Sequence, residues 1–201
     1  MAIESYNAAP VIFLVELETQ CCFAEFSYER LQEAAPRWYE GVRGDELDNA
    51  MPPRDIMIYC TSFLSSTAVI AKFLFIGNRK GEQYEKTARR CARLRELLEV
   101  NDLATLLNLS VHNSFEHIDE RLDNILHDFT SGTIDPLSVT EKPPSQDTIV
   151  LKRFDPRRLT ISCVGGEISL GDCVSDVRKV HSRISLAYKK LDGPRFDLWS
   201  V

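Results

Sequence analysis

The chain has 201 residues, 44% of them apolar and 27% charged, and its 24 Lys and Arg against 30 Asp and Glu leave a net charge of −6. This is the profile of one soluble globular domain, long enough to bury a core without disulfides or a structural metal. With only 9 Gly and 9 Pro it is not a fibrous or low-complexity chain, and its acidity argues against a protein that coats nucleic acid non-specifically.

Six cysteines, at 21, 22, 60, 91, 163 and 173, form no C-x-x-C pair and do not cluster with histidine at zinc spacing. They read as reduced thiols of a cytosolic protein, with no metal or cofactor expected. The opening MAIESYNAAPVIFLVELE has no basic leader, and Glu16 and Glu18 interrupt its apolar run. Neither secretion nor membrane spanning is expected.

From about Ala9 to Ala34 the sequence predicts a long helix, in which Val11, Leu14, Val15, Cys21, Cys22 and Phe26 spread over a wide apolar face. Residues 35–53, with prolines, glycines and mixed charge, predict a loop. Pro52–Pro53 suits the start of a second helix over 54–76, apolar enough to be the central element, stopped by Gly77–Asn78. A third helix over 79–100 is basic: its segment 79–95 holds seven cations against Glu82 and Glu85, net +5.

A fourth helix is predicted over 110–129, where Val111, Phe115, Ile118, Leu122 and Ile125 fall at i, i+4, i+7, i+11 and i+14 and mark a core stripe. Residues 131–147 read as a linker. The pattern then turns to β, with strands at 148–154 and 159–164, a turn at Asp155–Arg158, and a third short strand after Gly165–Gly166. Leu170, Val174, Val177, His181, Ile184, Ala187 and Leu191 mark a final amphipathic helix. The expected organisation is one domain over 1–201: a helical bundle over 9–130, the linker, and a β-hairpin plus final helix over 148–192.

Two segments carry candidate chemistry. The first is HNSFEHIDERLDN, residues 112–124, where Ser114, His117 and Arg121 share one flank of the stripe and His112, Asp119 and Asp123 the other. A metal site on His112 and Glu116 lacks the further ligands it needs, and a capped, charged surface is the plainer reading. His127 and His181 are isolated, and His181 reads as a boundary histidine. The second segment is the basic helix, whose Arg89, Arg90 and Arg93 suit phosphate contacts. Residues 112–128 carry net −4 with histidine neutral, so charge pairing between the two helices is the competing structural reading.

The blocks IMIYCTSFLSSTAVIAKFLF, LRELLEV, NSFEHIDERLDNIL and LKRFDPRRLTISCVGGEISL resemble a group of bacterial helical proteins without an assigned activity, over about residues 10–190. Their corresponding helix reads like R-N-x-F-E-H-x-D-E-R-L. The arrangement is also similar to the HEPN superfamily, whose motif is an Arg, four to six residues, then a His, often with a polar residue after the Arg. That resemblance implies a mainly α, up-and-down HEPN-like bundle, with the small β-hairpin or meander before the last helix. It implies a homodimer with the 112–124 helices face to face, and RNA as partner. Active members are metal-independent endoribonucleases in which the His acts as acid or base on the ribose 2′-hydroxyl and the Arg steadies the phosphate.

On this chain His117 matches the motif His and Asn113 the polar residue, but His112 stands where the Arg belongs. A neutral imidazole offers one donor where a guanidinium offers five. The resemblance therefore implies an RNA-associated or defence-type domain with weak or lost nuclease activity. His112, Asn113 and His117 are its catalytic candidates, and a weak His/His ribonuclease is a further form of it. The alternative is a non-catalytic module that binds another protein.

Overall fold

The computed structural model describes residues 4–44, 52–76, 81–108, 111, 113, 115, 117–164 and 166–191. Its helices are α1 (Glu4–Gly44), α2 (Pro53–Leu74), α3 (Glu82–Leu98), α4 (Ala104–Leu107), α5 (Ile118–Asp128) and α6 (Leu170–Lys190). The strands, β1 (Thr133–Asp135), β2 (Ser138–Val139), β3 (Thr148–Val150), β4 (Lys152–Asp155), β5 (Thr160–Cys163) and β6 (Gly166–Ser169), all lie between α5 and α6. The molecule is mostly helical, with its small strand region just before the last helix.

α1 is longer than its sequence pattern suggests and runs through the expected loop at 35–44. Pro36 lies inside it and removes one backbone donor, yet Ala34 and Ala35 are buried and Trp38 packs on the core. Burial of that apolar turn outweighs the local penalty, a tertiary override of propensity. Along the helix Leu14, Leu17, Cys21, Ala24, Tyr28 and Leu31 are buried.

α2 lies antiparallel on one side of α1. Phe13 meets Phe73 edge-on at 5.5 Å, Phe26 meets Tyr59 at 6.4 Å, and the Ser27 hydroxyl donates to that of Ser62 at 3.0 Å. Pro53 opens α2 as expected, and the Asp55 and Ile56 amides donate to the Pro52 carbonyl. Among the described residues α2 is the one helix long and apolar enough to cross a membrane, and more than half of its most apolar window is buried in the fold.

α6 lies antiparallel on the other side of α1. Its N-terminus is capped by Ser169, whose hydroxyl accepts from the Asp172 amide at 3.3 Å. The helix then organises two neighbours. The buried Asp176 carboxylate accepts from the Thr105 amide at 2.9 Å and the Leu106 amide at 3.3 Å, satisfying the start of α4, and pairs with Lys179 at 3.0 Å. At the far end, Lys190 donates to the Leu97 carbonyl and grips Glu99 at 2.6 Å. Glu99 caps α3 in the left-handed region (φ 54°), and its hydrogen bond from Lys190 holds its carboxyl below the ordinary value. α3 itself starts after Gly81, whose φ of 72° suits glycine.

The stretch expected as a linker contains β1 and β2. β1 pairs in parallel with β3, and β2 in parallel with β4, which continues antiparallel through β5 to β6. The expected strand over 148–154 is therefore divided at Leu151 between two sheets, while the meander β4–β5–β6 follows the sequence pattern. Asp155, buried, accepts from the Arg157 and Arg158 amides and pairs with Arg153 at 3.2 Å, which fixes the turn between β4 and β5.

Phe63, on α2, is fully buried against Tyr28 of α1, with ring centroids 6.4 Å apart. Phe63→Ala is expected to cost about 3–5 kcal/mol in denaturant unfolding. Ile58→Ala, on the exposed face of the same helix, should stay within about 0.5 kcal/mol of the parent. Equal costs would show that this pairing is not central to the core.

Candidate nucleic-acid interface

The segment expected as one regular helix over 110–129 is broken at His117. Val111, Asn113 and Phe115 are helical, and the His117 amide still donates to the Asn113 carbonyl at 2.9 Å. His117 then adopts φ −109°, ψ 39°, and α5 begins at Ile118. The break falls in the run 113–119, where apart from Glu116 every residue is a middling or poor helix former. Val111 is buried and Phe115 and Ile118 pack on the core, but α5 has no fully buried residue. The core stripe thus fades after Ile118, leaving Leu122 and Ile125 half-buried and Leu126 exposed.

His117 presents its imidazole to solvent, 57% exposed, with Nδ1 3.6 Å from a Glu120 carboxylate oxygen. Asn113 is exposed one turn before it. His112 lies outside the described residues. Arg121 follows His117 by four residues, and its amide donates to the His117 carbonyl, so the two belong to one helical face.

A second cation arrives from the sheet. Lys152 of β4 lies 4.9 Å from the centre of the Phe115 ring, two residues before His117. Lys152 is the cross-strand partner of Cys163 on β5, whose thiol is pushed up by burial. Lys152 carries no sequence signal for such a role; the fold alone brings it there. Asp119 and Glu120 occupy the first turn of α5, the position where carboxylates favour the helix N-terminus.

The three candidate arginines on α3, Arg89, Arg90 and Arg93, divide. Arg89 and Arg93 are exposed, and their ion pairs stay within the helix, to Glu85 at 3.7 Å and Glu96 at 3.2 Å. Arg90 turns inward. Its Nη2 donates to the Lys72 carbonyl at 2.8 Å, and its guanidinium sits 5.3 Å from the Phe13 ring and 5.6 Å from the Phe73 ring. Its Nε is buried with no hydrogen-bond partner among the described residues. Arg90 thus ties α3 to the α1–α2 seam. Among the described residues α3 packs chiefly on α2 and α6.

The remaining histidines are surface or seam residues. His127 meets Asp128 at 2.9 Å in the open. His181 is half-buried between α6 and α1, as a boundary residue, with Nδ1 2.9 Å from Glu25. All six cysteines are free, and the described residues contain no group of three or more His, Cys, Asp and Glu side chains suited to a metal ion.

Comparison of the chain with protein-family models, with curated proteins and with solved structures gives no match.

The geometry separates the roles of these side chains by experiment. Arg90→Ala is expected to cost about 1–3 kcal/mol, through the lost carbonyl bond and ring contacts, and Arg90→Lys to recover only part of it. His117→Ala, Arg89→Ala and Arg93→Ala should each unfold within about 0.5 kcal/mol of the parent. A His117→Ala protein that fails to fold would make that residue structural and remove it from any site.

Proposed function

We propose that this chain is a HEPN-like RNA-associated domain whose endoribonuclease activity is weak or lost. The observation that carries this reading is the turn at Asn113–His117: an exposed imidazole at a helix start, with Arg121 on the same face and Lys152 beside Phe115. Imidazole is the side chain that titrates near neutral pH and can move a proton at a ribose hydroxyl. Arg121 and Lys152 supply positive charge for the phosphates, together with Arg89 and Arg93 on α3. Arg90 drops out of the binding set because its donors and ring contacts face the core. Cleavage is weak in this reading because position 112 supplies imidazole rather than guanidinium to the phosphate, and because Asp119 and Glu120 oppose an anion at the start of α5.

The incomplete burial of α5 fits a second copy of the chain lying along it. Ile118, Leu122 and Ile125 are half-buried and Leu126 is 56% exposed, so a facing copy of the same helix would cover a ready apolar stripe. A homodimer through the 112–124 segment would also set two His117 side chains toward one another.

A second reading, a helical module that binds another protein, is favoured by one specific surface. Phe23 and Phe26 of α1 are 45% and 50% exposed, and Ile58 of α2 is 58% exposed. Phe26 meets Tyr59 across the α1–α2 seam, so apolar surface is exposed there on both helices.

Fluorescence anisotropy with single-stranded RNA at rising salt separates the two readings. Binding is expected to weaken linearly in log Kd against log salt, and Arg121→Ala to reduce the slope by about 0.7, the share of one phosphate contact on a single strand. Metal-free incubation of the same RNA should give at most slow cleavage, raised in His112→Arg and abolished in His117→Ala. Absence of salt-dependent binding by the folded protein would leave the protein-interaction reading.

A further inference from the structure

The seam between α1 and α6 holds a second cluster, which spacing along the sequence hides. On α1, Glu18, Cys22 and Glu25 recur at i, i+4 and i+7 and so share a face. Opposite them α6 presents Arg178, His181, Ser182 and Ser185. The two helices enclose a groove of about 380 Å³ lined by Glu18, Glu25 and those four residues.

At its edge Cys22, which does not itself line the groove, has Sγ 4.0 Å from Nε2 of the lining residue His181, and His181 Nδ1 lies 2.9 Å from Glu25 Oε1. A carboxylate on Nδ1 selects the tautomer in which Nδ1–H donates to Glu25, leaving Nε2 as an acceptor aimed at the thiol. The same carboxylate stabilises the imidazolium that forms when Nε2 takes a proton. This is the order nucleophile, base, orienting acid, assembled from two helices 156 residues apart in the chain.

Cys22 also differs from every other cysteine. Cys21, Cys60, Cys91, Cys163 and Cys173 are all buried, and only Cys22 is partly open. Burial holds the Cys60 thiol up, and the Cys173 thiol is pushed up to about 12, so these groups are inert. Cys22 is itself held up by its partial burial and by the charges of Glu25 and Glu18. It is therefore no standing thiolate, and its reactivity depends on a base that removes the proton as the sulfur reacts. His181 is that base.

We propose that Cys22, His181 and Glu25 form a thiol–imidazole–carboxylate relay that makes Cys22 the reactive cysteine of the chain, poised for exchange with the disulfide of a small zwitterionic thiol. Cys22 sulfur attacks one sulfur of the incoming disulfide while its proton moves to His181 Nε2. A new S–S bond forms as the old one breaks, and the departing thiolate takes the proton from His181. A thiol and a disulfide thus become a mixed disulfide and a thiol, with no other oxidant or reductant, and free thiol reverses the step.

The groove chemistry selects the partner. Glu18 and Glu25 suit an ammonium group, Arg178 a carboxylate, and the serines polar contacts along a short peptide thiol. Tyr188 donates to Glu18 at 3.3 Å and steadies that carboxylate at the end of the groove.

The test uses the full chain with glutathione disulfide as probe, read by intact mass and by fragmentation that separates Cys21 from Cys22. Cys22 is expected to take the first glutathionyl group, at least about tenfold faster than any buried cysteine. His181→Gln should slow it by roughly 10–100-fold, and Glu25→Gln, which keeps a hydrogen-bond partner for Nδ1 but removes the charge, by less. In the parent the pH–rate profile should show a step besides that of the thiol, with Cys21, Glu18, Glu25 and Arg178 the other ionisable groups facing the pair. In His181→Gln that step should vanish and the rate follow the thiol alone. Far-UV circular dichroism checks that each variant is folded, and Glu25→Gln carries the test if His181→Gln is not. A folded His181→Gln or Glu25→Gln protein that reacts like the parent with an unchanged pH profile would overturn the relay, as would modification of Cys22 no faster than of the buried cysteines.

Discussion

Everything in this molecule depends on covering α1 from two sides at once. A 41-residue helix exposes more apolar side chain than one neighbour can bury. α2 covers one side through edge-on ring contacts, and α6 covers the other through buried aliphatic side chains such as Val177 and Ile184 and a seam of polar contacts. The two coverings differ in chemistry as well as position. On the α2 side, Arg90 lies over the rings of Phe13 and Phe73; on the α6 side, Glu18 and Glu25 face Tyr188 and His181. α6 then extends its influence through Asp176 and Lys190, so α3 and α4 take their places from a helix far along the chain.

Much of this was legible in the residues. The periodicity of α2 and α6 places both helices within a residue or two, because each has one long buried face whose pattern is local. The end of α1 was not legible, because Pro36 signals a stop and only the core beneath Ala34, Ala35 and Trp38 shows why the helix continues. β1 and β2 escaped for a different reason: they are 3 and 2 residues long and pair in parallel with strands downstream, so no alternation or tight turn marks them.

The candidate interface was legible in part. His117 and Asn113 stand out by type and spacing, and both are exposed. What spacing could not show is direction: Arg90 and its neighbours Arg89 and Arg93 look alike in sequence, yet one guanidinium serves the core and the others the surface. Nor could it show Lys152, or the meeting of Cys22 with His181, because such contacts exist only once distant segments have docked. A regular periodic pattern also conceals a break in the helix, and nothing in the spacing marks the one at His117.

The antiparallel docking of α1 on α6 has a consequence for the chain as it is made. Cys21 meets the Val177 carbonyl across 156 residues, so at roughly 5–20 residues per second about 8–30 seconds separate the emergence of the two partners from the ribosome. α2 emerges soon after α1 and can pair with it early, which gives a half-wrapped hairpin. Its uncovered side must wait in water until α6 has emerged. Glu18 and Glu25 lie along that waiting edge, where two carboxylates beside Leu17, Cys21 and Ala24 discourage another nascent chain from settling there. The charges that furnish the finished groove would then also have guarded the unfinished helix.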